Sequence, residues 1–322
     1  MRNIAFMLLI GFCSLSTPAF AAEDYPSRPI HLVVPYPAGG TADVMARALG
    51  QGLTASLGQP VVVDNRPGAD TIIGAETVAH SAPDGYTLLF ATDSTLATNS
   101  LLHKQLPYDE QKDFAPITEV GEQNFVLVIS PSVLATTLEE FVALAKARPG
   151  TLNYGSFGRG SQPHLAMELF AHLAGISLVH VPSKGVSGLL NDLMSGTVQA
   201  GFVGVSGASL INDGKVRGLA VDGVSRSPLF SQVPTFLEKG YPQMYARAWW
   251  GIVATAGTPQ PILDKLNIEL NRMLNDPQFQ QKYMLPQGLE PAGKGPSAFK
   301  KVIDQSAARW ASAIEFAGLK PE

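Results

Sequence analysis

The chain has 322 residues and a formal net charge of −4, with 45% hydrophobic and 16% charged residues. The acidic balance argues against a nucleic-acid partner, which needs a basic face. The length suggests about two domains of roughly 150 residues each, and 31 glycines and 24 prolines are too few and too evenly spread for a disordered or fibrous chain.

Residues 1–21 have the pattern of a secretory signal. Arg2 gives a positive start, residues 4–12 form an apolar run, and residues 19–21 read Ala-Phe-Ala, a cleavage pattern. The apolar run is too short for a membrane span, which takes about 20 residues. We therefore predict cleavage after Ala21 and a mature protein in the periplasm. Cleavage removes Cys13, the only cysteine, so disulfides, thiol catalysis and thiolate metal ligands are not expected.

Strand and helix patterns alternate along the next hundred residues. β-branched runs predict strands at 30–34, 61–63 and 86–90, and periodic apolar residues predict helices at 43–57 and 72–80. This βαβαβ order implies a parallel sheet with helices on its faces.

A second α/β unit and a tail follow. The same patterns predict strands at 125–129, 152–154, 178–181, 198–202, 218–221 and 249–253, and helices at 138–147, 164–174, 186–195, 261–274 and 296–316. We interpret the polar segments 120–124 and 245–248 as crossovers. Domain 1 then comprises residues 22–124 plus 246–322, and domain 2 comprises residues 125–245. Two crossovers give a hinge and a cleft at the C-terminal ends of the strands, where open α/β sheets bind ligands.

The loop at 36–43 joins the first strand to the first helix and contains the adjacent pair Gly39 and Gly40. Exposed N–H groups and the positive end of the helix dipole would face the cleft there, which suits a carboxylate. A tight turn capped by Thr41 or Asp43 is the alternative that the residues leave open. The loop has neither a G-x-G-x-x-G nor a Walker A pattern.

A glycine-rich loop at 154–164 joins a strand to a helix in the second unit. Ser161 suits a helix cap and Pro163 a first helical turn. Arg159 would bind a second carboxylate in a bidentate way, or it is a solvated arginine on a loop tip. His164 either contacts a ligand or only begins the helix.

Other strand ends supply further candidates for the cleft. Asp93 and Ser94 follow the third strand, Lys184 precedes a helix, and Gly204 and Ser206 lie in a small-residue turn.

A hydrolase or a metal site is not expected. The sequence 204–208 differs by one residue from G-x-S-x-G, but no histidine follows it in the chain. No two histidines have H-x-x-x-H spacing. We therefore predict no catalytic residue, no metal and no cofactor.

Several longer motifs cover nearly the whole chain, among them VPYPAGGTAD at 34–43, LGQPVVVDNRPGA at 57–69, PDGYTL at 83–88, VPSKG at 181–185 and AGTP at 256–259. In combination they resemble the Bug-type periplasmic receptors of tripartite tricarboxylate transporters. The resemblance implies an α/β fold of the two-domain, Venus-flytrap (type II) periplasmic binding protein class, in which each domain is a mixed sheet flanked by helices. It also implies a monomer without enzymatic activity that closes around a small organic acid and delivers it to membrane permease subunits.

The resemblance also assigns binding roles to both loops. The first loop, with Tyr36, would hold one ligand carboxylate, partly through water, at Ala38, Gly39, Gly40 and Asp43. The opposite domain would supply specificity through Ser156, Phe157, Arg159, Ser161, His164 and the turn from Ser183 to Gly185.

Two departures from the family pattern bear on the ligand. Ser183 stands where the family usually has tyrosine, and no acid or asparagine follows the strand that ends at Phe202. Without an acid there, an ammonium group lacks a counter-charge, so an amino acid is less expected. We predict a dicarboxylate, with an aromatic one such as terephthalate, stacked on Phe157, as the favoured ligand. A signalling receptor of the same fold, feeding a two-component system, is the alternative function that the sequence leaves open.

Overall fold

A computed structural model describes residues 25–321; the predicted signal peptide and its cleavage site lie outside them. Two mixed β-sheets organise the described chain. The six-stranded sheet, in the order β11-β4-β10-β3-β1-β2, comprises β1 (Ile30–Val34), β2 (Val61–Asn65), β3 (Thr87–Thr92), β4 (Phe114–Gln123), β10 (Ala248–Thr255) and β11 (Leu289–Lys294). The five-stranded sheet, in the order β7-β6-β8-β5-β9, comprises β5 (Val126–Ile129), β6 (Asn153–Ser156), β7 (Val179–Pro182), β8 (Ala200–Val203) and β9 (Arg217–Val221).

Helices flank both sheets, as the fold prediction requires. They are α1 (Thr41–Leu57), α2 (Ile72–Ala79), α3 (Asn99–Leu102), α4 (Leu138–Ala147), α5 (Gln162–Ala174), α6 (Gly185–Ser195), α7 (Ala208–Asn212), α8 (Gln260–Leu274), α9 (Pro277–Phe279) and α10 (Pro296–Phe316). We call the six-stranded sheet with its helices the first lobe and the five-stranded sheet with its helices the second lobe. Within residues 25–321, no helix combines the length and the apolar character that a membrane crossing requires.

The first lobe is built on the predicted parallel unit. β1 pairs in parallel with β2 and β3, and Leu32 faces Val63 on one side and Leu88 on the other. Burial on both faces explains the continuous apolar runs in β1 and β3. β10 then pairs antiparallel with β3, so the tail of the chain returns to the first lobe.

The crossovers are shorter than the sequence predicted. Residues 120–123 belong to β4 and Ala248 begins β10, so the first crossover is confined to Asn124 and Phe125. β4 was not predicted because Pro116, Gly121 and two glutamates interrupt its apolar pattern. In the structure it is an interior strand between β11 and β10, with register shifts along its pairing with β10.

A buried charge network joins the two crossovers. The Arg247 guanidinium, on the returning crossover, binds the carboxylates of Glu122 on β4 and Glu290 on β11. The Tyr245 hydroxyl donates to Glu122 over 2.7 Å, and the Asn124 amide donates to Glu290 over 2.6 Å. Burial alone would lower the pKa of Arg247, but the neighbouring carboxylates outweigh burial and hold that pKa above its usual value. The network therefore fixes both crossovers to the same two strands.

Arg247→Met tests this network. The substitution leaves Glu122 and Glu290 without their buried counter-charge, which we expect to lower the free energy of unfolding by about 3–5 kcal/mol. Urea unfolding followed by circular dichroism measures the change. Arg226→Met is the matched control, because Arg226 forms an ion pair with Glu238 on the exposed surface and such pairs contribute little. Equal effects of the two substitutions would contradict a special role for the network.

Candidate functional site

Two cavities lie between the lobes, at the ends of the parallel strands. The first, which we call the polar cavity, has a volume of about 500 Å³ and is lined by Tyr36, Asp70, Thr71, Ser94, Thr98, Asn99, Leu102, His103, Phe157, Gly158, Arg159, Gly160, Ser161, Gln162, Pro163, Leu319 and Lys320. The second, which we call the apolar cavity, has a volume of about 470 Å³ and is lined by Tyr36, Pro37, Ala38, Gly40, Thr41, Ala42, Thr92, Asp93, Phe157, Gln162, Val186, Ala248 and Trp250. Three side chains, those of Tyr36, Phe157 and Gln162, line both cavities, so the two spaces adjoin.

The first loop presents the N-terminus of α1 to the apolar cavity. Gly40 is the N-cap residue, and no side chain caps the helix. Thr41 does not act as a cap, because its hydroxyl donates to Gln287 over 3.0 Å. Within residues 25–321 the N–H groups of Thr41 and Ala42 have no hydrogen-bond acceptor. Both residues line the apolar cavity, so this helix start offers donors to an anion.

Asp43 supports the loop from the first turn of α1. Its carboxylate accepts the N–H of Gly39 over 2.9 Å and forms an ion pair with Arg47. Burial alone would raise the pKa of Asp43, but these hydrogen bonds outweigh burial and hold it below its ordinary value. Asp43 does not line either cavity. Its hydrogen bond instead fixes the backbone of Gly39. The φ of Gly39, +91°, is a conformation that glycine adopts readily.

Asp93 and Gln162 connect the lobes across the boundary of the two cavities. Asp93 follows β3 in the first lobe, Gln162 begins α5 in the second lobe, and the Gln162 amide donates to the Asp93 carboxylate. The side chain of Asp93 is almost fully buried, and burial raises its pKa to about 7. The Tyr36 and Thr92 hydroxyls share a hydrogen bond of 3.1 Å beside it. Asp93 is therefore an acid inside the cleft, and it belongs to the first lobe. The acid that the family pattern would have supplied follows the strand predicted to end at Phe202, in the second lobe.

The second loop rests on a stack of rings. His164 and His180 stack with ring centroids 3.8 Å apart, and Tyr154 stacks on His180. The His164 Nδ1 accepts the N–H of Gly160 over 2.9 Å. Burial, followed by the proximity of His180 and Arg159, lowers the pKa of His164 to about 4. A neutral His164 thus holds the loop that carries Phe157 and Arg159.

Ser156 lies beneath the same loop. Its hydroxyl is fully buried, makes a 2.8 Å hydrogen bond with the His180 Nε2 and bonds to the backbone of Gly158. Neither Ser156 nor His164 lines the polar or the apolar cavity. Their contacts position the backbone of the loop.

The structure brings eight of the predicted site residues to the cavity walls. Those residues are Tyr36, Ala38, Gly40, Asp93, Ser94, Phe157, Arg159 and Ser161. The other eight line neither cavity and stay predictions as ligand contacts: Gly39, Asp43, Ser156, His164, Ser183, Lys184, Gly204 and Ser206. Among them, Ser183 donates to Asp192 over 2.6 Å, and Lys184 is the N-cap residue of α6.

Several wall residues were not among the sequence predictions. Gln162 lies within the loop that the sequence singled out, and its place in the first turn of a cleft-facing helix was the available signal. Trp250 and Val186 reach the apolar cavity from β10 and α6. Lys320 reaches the polar cavity from beyond α10, and no local pattern indicated it.

Known proteins share this arrangement. BugT of Bordetella pertussis is 37% identical over 315 residues, which cover 97% of this chain and 96% of the relative. A protein of R. palustris solved with adipate is 33% identical with a TM-score of 0.78, covering 93% of this chain and 100% of that chain. MatC from Rhodopseudomonas palustris with bound malate is 29% identical with a TM-score of 0.73, covering 90% and 100%.

The two lobes, the double crossover and the cavities between the sheets define a two-domain periplasmic solute-binding protein. The family model described as "Tripartite tricarboxylate transporter family receptor" matches residues 45–319. The chain belongs to this family, whose members are binding receptors and not enzymes. The resemblance seen in the sequence and the predicted fold class are thereby confirmed.

Asp93→Asn tests the buried acid of the cleft. The raised pKa means that ionising Asp93 costs folding free energy, and this cost grows as the pH rises from about 4 to about 7. Asparagine keeps an oxygen acceptor for Gln162 without the charge. We expect the variant to be more stable than the wild type by about 4 kcal/mol at pH 8, with the difference vanishing near pH 4. Thermal unfolding between pH 4 and 8 measures this difference.

Asp213→Asn is the control for that series, because Asp213 is exposed beside Lys215. Its effect should not follow the same pH course. A constant difference between Asp93→Asn and the wild type across the range would show that Asp93 does not titrate as described.

Proposed function

We propose that this chain is a periplasmic receptor that binds a small dicarboxylate between its lobes and delivers it to the permease subunits of a tripartite tricarboxylate transporter. One observation carries the proposal: two adjoining cavities offer anion-binding groups at different ends. The start of α1 supplies backbone donors to the apolar cavity, and Arg159 lines the polar cavity. Membership of the receptor family supports the transport role.

The shared wall favours a ligand with an apolar centre. Phe157 and Tyr36 lie where the cavities adjoin, and Trp250 lines the apolar side. Aromatic rings stack on flat apolar groups in offset or edge-to-face arrangements. An aromatic dicarboxylate such as terephthalate fits this chemistry. Adipate and malate, found with the two R. palustris relatives, are both dicarboxylates and support the broader class.

Asp93 modifies the argument against an amino-acid ligand. An acid does line the cleft, but its carboxylate already accepts the Gln162 amide, and its pKa of about 7 leaves it partly protonated at neutral pH. Such a group is a weaker partner for an ammonium than a fully ionised acid. The preference for a dicarboxylate over an amino acid therefore stays part of the proposal.

The remaining parts of the proposal concern export and motion. We propose cleavage after Ala21, export to the periplasm, and the domain boundaries 22–124 plus 246–322 and 125–245. Ligand binding is expected to favour the closed arrangement, because only that arrangement contacts the ligand from both lobes. The Asp93–Gln162 hydrogen bond is an inter-lobe contact that closure would use.

Calorimetric titration of the mature chain tests the ligand class. Terephthalate, adipate, malate, benzoate and aspartate form the panel, and we expect at least one dicarboxylate to bind more tightly than benzoate or aspartate. Small-angle scattering with the bound dicarboxylate should show compaction. Tight binding of aspartate, with no dicarboxylate bound, would reject the proposal. Uptake of the bound acid by cells with and without the permease genes separates transport from signalling.

Gly40→Leu tests the role of the first loop. A Cβ at Gly40 meets no atom within 4 Å, and its φ of −84° suits any residue. The leucine side chain should therefore obstruct the cavity without straining the fold, lowering dicarboxylate affinity at least about tenfold, which is 1.4 kcal/mol of binding free energy, with little change in thermal stability.

Gly295→Leu is the matched control. Gly295 is also an extended N-cap glycine of a long helix, with the nearest atom to an added Cβ at 4.0 Å, and it does not line either cavity. Normal binding by Gly40→Leu would remove the first loop from the site.

A further inference from the structure

We infer that the segment after α10 completes the ligand cavity and that the Lys320 ammonium binds the distal carboxylate of a dicarboxylate ligand. This inference rests on the proposed function, since it names a specificity-determining residue of the same site. It concerns the end of the ligand that lies in the polar cavity, away from the start of α1.

The end of α10 directs Lys320 towards the cavity. The N–H of Gly318 bonds to the carbonyl of Glu315, and the N–H of Leu319 bonds to the carbonyl of Ile314. These two bonds form a Schellman motif, with Gly318 in the left-handed region at a φ of +60°. Leu319 then packs against the core. The motif turns the chain sharply at Gly318, so Lys320 is set beside the cavity by backbone geometry and apolar packing.

α10 also ties this segment to the second lobe. The helix packs on β4 of the first lobe and on α5 of the second. At its last turn the ring of Phe316 stacks on His172 of α5, with centroids 3.6 Å apart and an angle of 4° between the planes. Both Lys320 and Arg159 line the polar cavity.

The charges on the wall favour an anion. Among the described residues, the acidic, basic and histidine side chains that line the polar cavity are those of Asp70, His103, Arg159 and Lys320. Asp70 lies 3.4 Å from the His103 Nε2. Across residues 25–321, the Lys320 ammonium makes no ion pair with a carboxylate. Lys320 thus adds a permanent cation to the polar cavity, and a permanent cation there favours a carboxylate over an ammonium.

The solvent exposure of Lys320 limits how strongly its ammonium attracts an anion. Lys320 is exposed in the described structure, so its attraction for an anion is moderated by solvent and screened by salt. A monocarboxylate that sits at the start of α1 has no group to place beside Lys320. The lysine should therefore discriminate between ligands with two carboxylates and ligands with one.

Lys320→Gln measured by calorimetry on the mature full-length chain tests this. The probes are two pairs of similar shape: terephthalate with 4-methylbenzoate, and adipate with hexanoate. We expect the substitution to weaken dicarboxylate binding by about three- to tenfold, to leave monocarboxylate binding unchanged, and to reduce the salt dependence of dicarboxylate binding. Lys320→Arg should restore most of the affinity, because it keeps the charge.

Lys301→Gln is the control, an exposed lysine on α10 that lines neither cavity; it should bind all four probes like the wild type. If the wild type binds a dicarboxylate and Lys320→Gln binds it equally well, the inference fails while the proposed function stands. Equal weakening of both members of a pair would also overturn it, since the lysine would then not select the second carboxylate. If the wild type binds no carboxylate, the proposed function fails and the inference with it.

Discussion

The Arg247 guanidinium links the two crossovers that join the sheets. Its partners, Glu122 and Glu290, belong to neighbouring strands of the first lobe, and Tyr245 and Asn124 bond to the same two carboxylates. Buried charges of this kind are costly to desolvate and tolerable only when they are fully paired. Because the pairing joins both crossovers, it sets where the second lobe departs from the first and where it returns. The cleft lies next to this junction.

The cleft itself follows from the sheet architecture. Parallel strands place their C-terminal ends at one edge, and the connections that follow β1, β3 and β6 meet there. Two of these connections lead into helices, so their N-termini and small residues lie beside the cavities. The hydrogen bond from Gln162 to Asp93 crosses between the lobes at the same edge. A receptor that encloses its ligand needs such contacts from both sides, and this arrangement provides them without any metal-binding cluster among residues 25–321.

Much of the fold could be predicted from local patterns. The strand Ile30–Val34 and the helices Leu138–Ala147 and Pro296–Phe316 have the predicted bounds, because continuous apolar runs and helical periodicity are strong signals. The strands β4 and β11 were missed. Each contains a proline, and β4 buries Glu119 completely. Lys294 of β11 forms an ion pair with the buried Glu119 at 3.1 Å, a contact between residues far apart in sequence that no local pattern reveals.

For the candidate site, too, the sequence predicted some features and only the structure revealed others. The sequence alone identified the two glycine-rich loops, since a strand, a run of small residues and a helix start form a local pattern, and the family resemblance rests on the same residues. Only the tertiary structure decided which side chains line the cavities. His164 and Ser156 proved to support the second loop from beneath, whereas Gln162 and Lys320 reach the cavity walls. The reason is physical: local sequence determines the backbone of a loop, but the direction of a side chain and its partners across the cleft depend on packing between lobes that meet only in the folded protein.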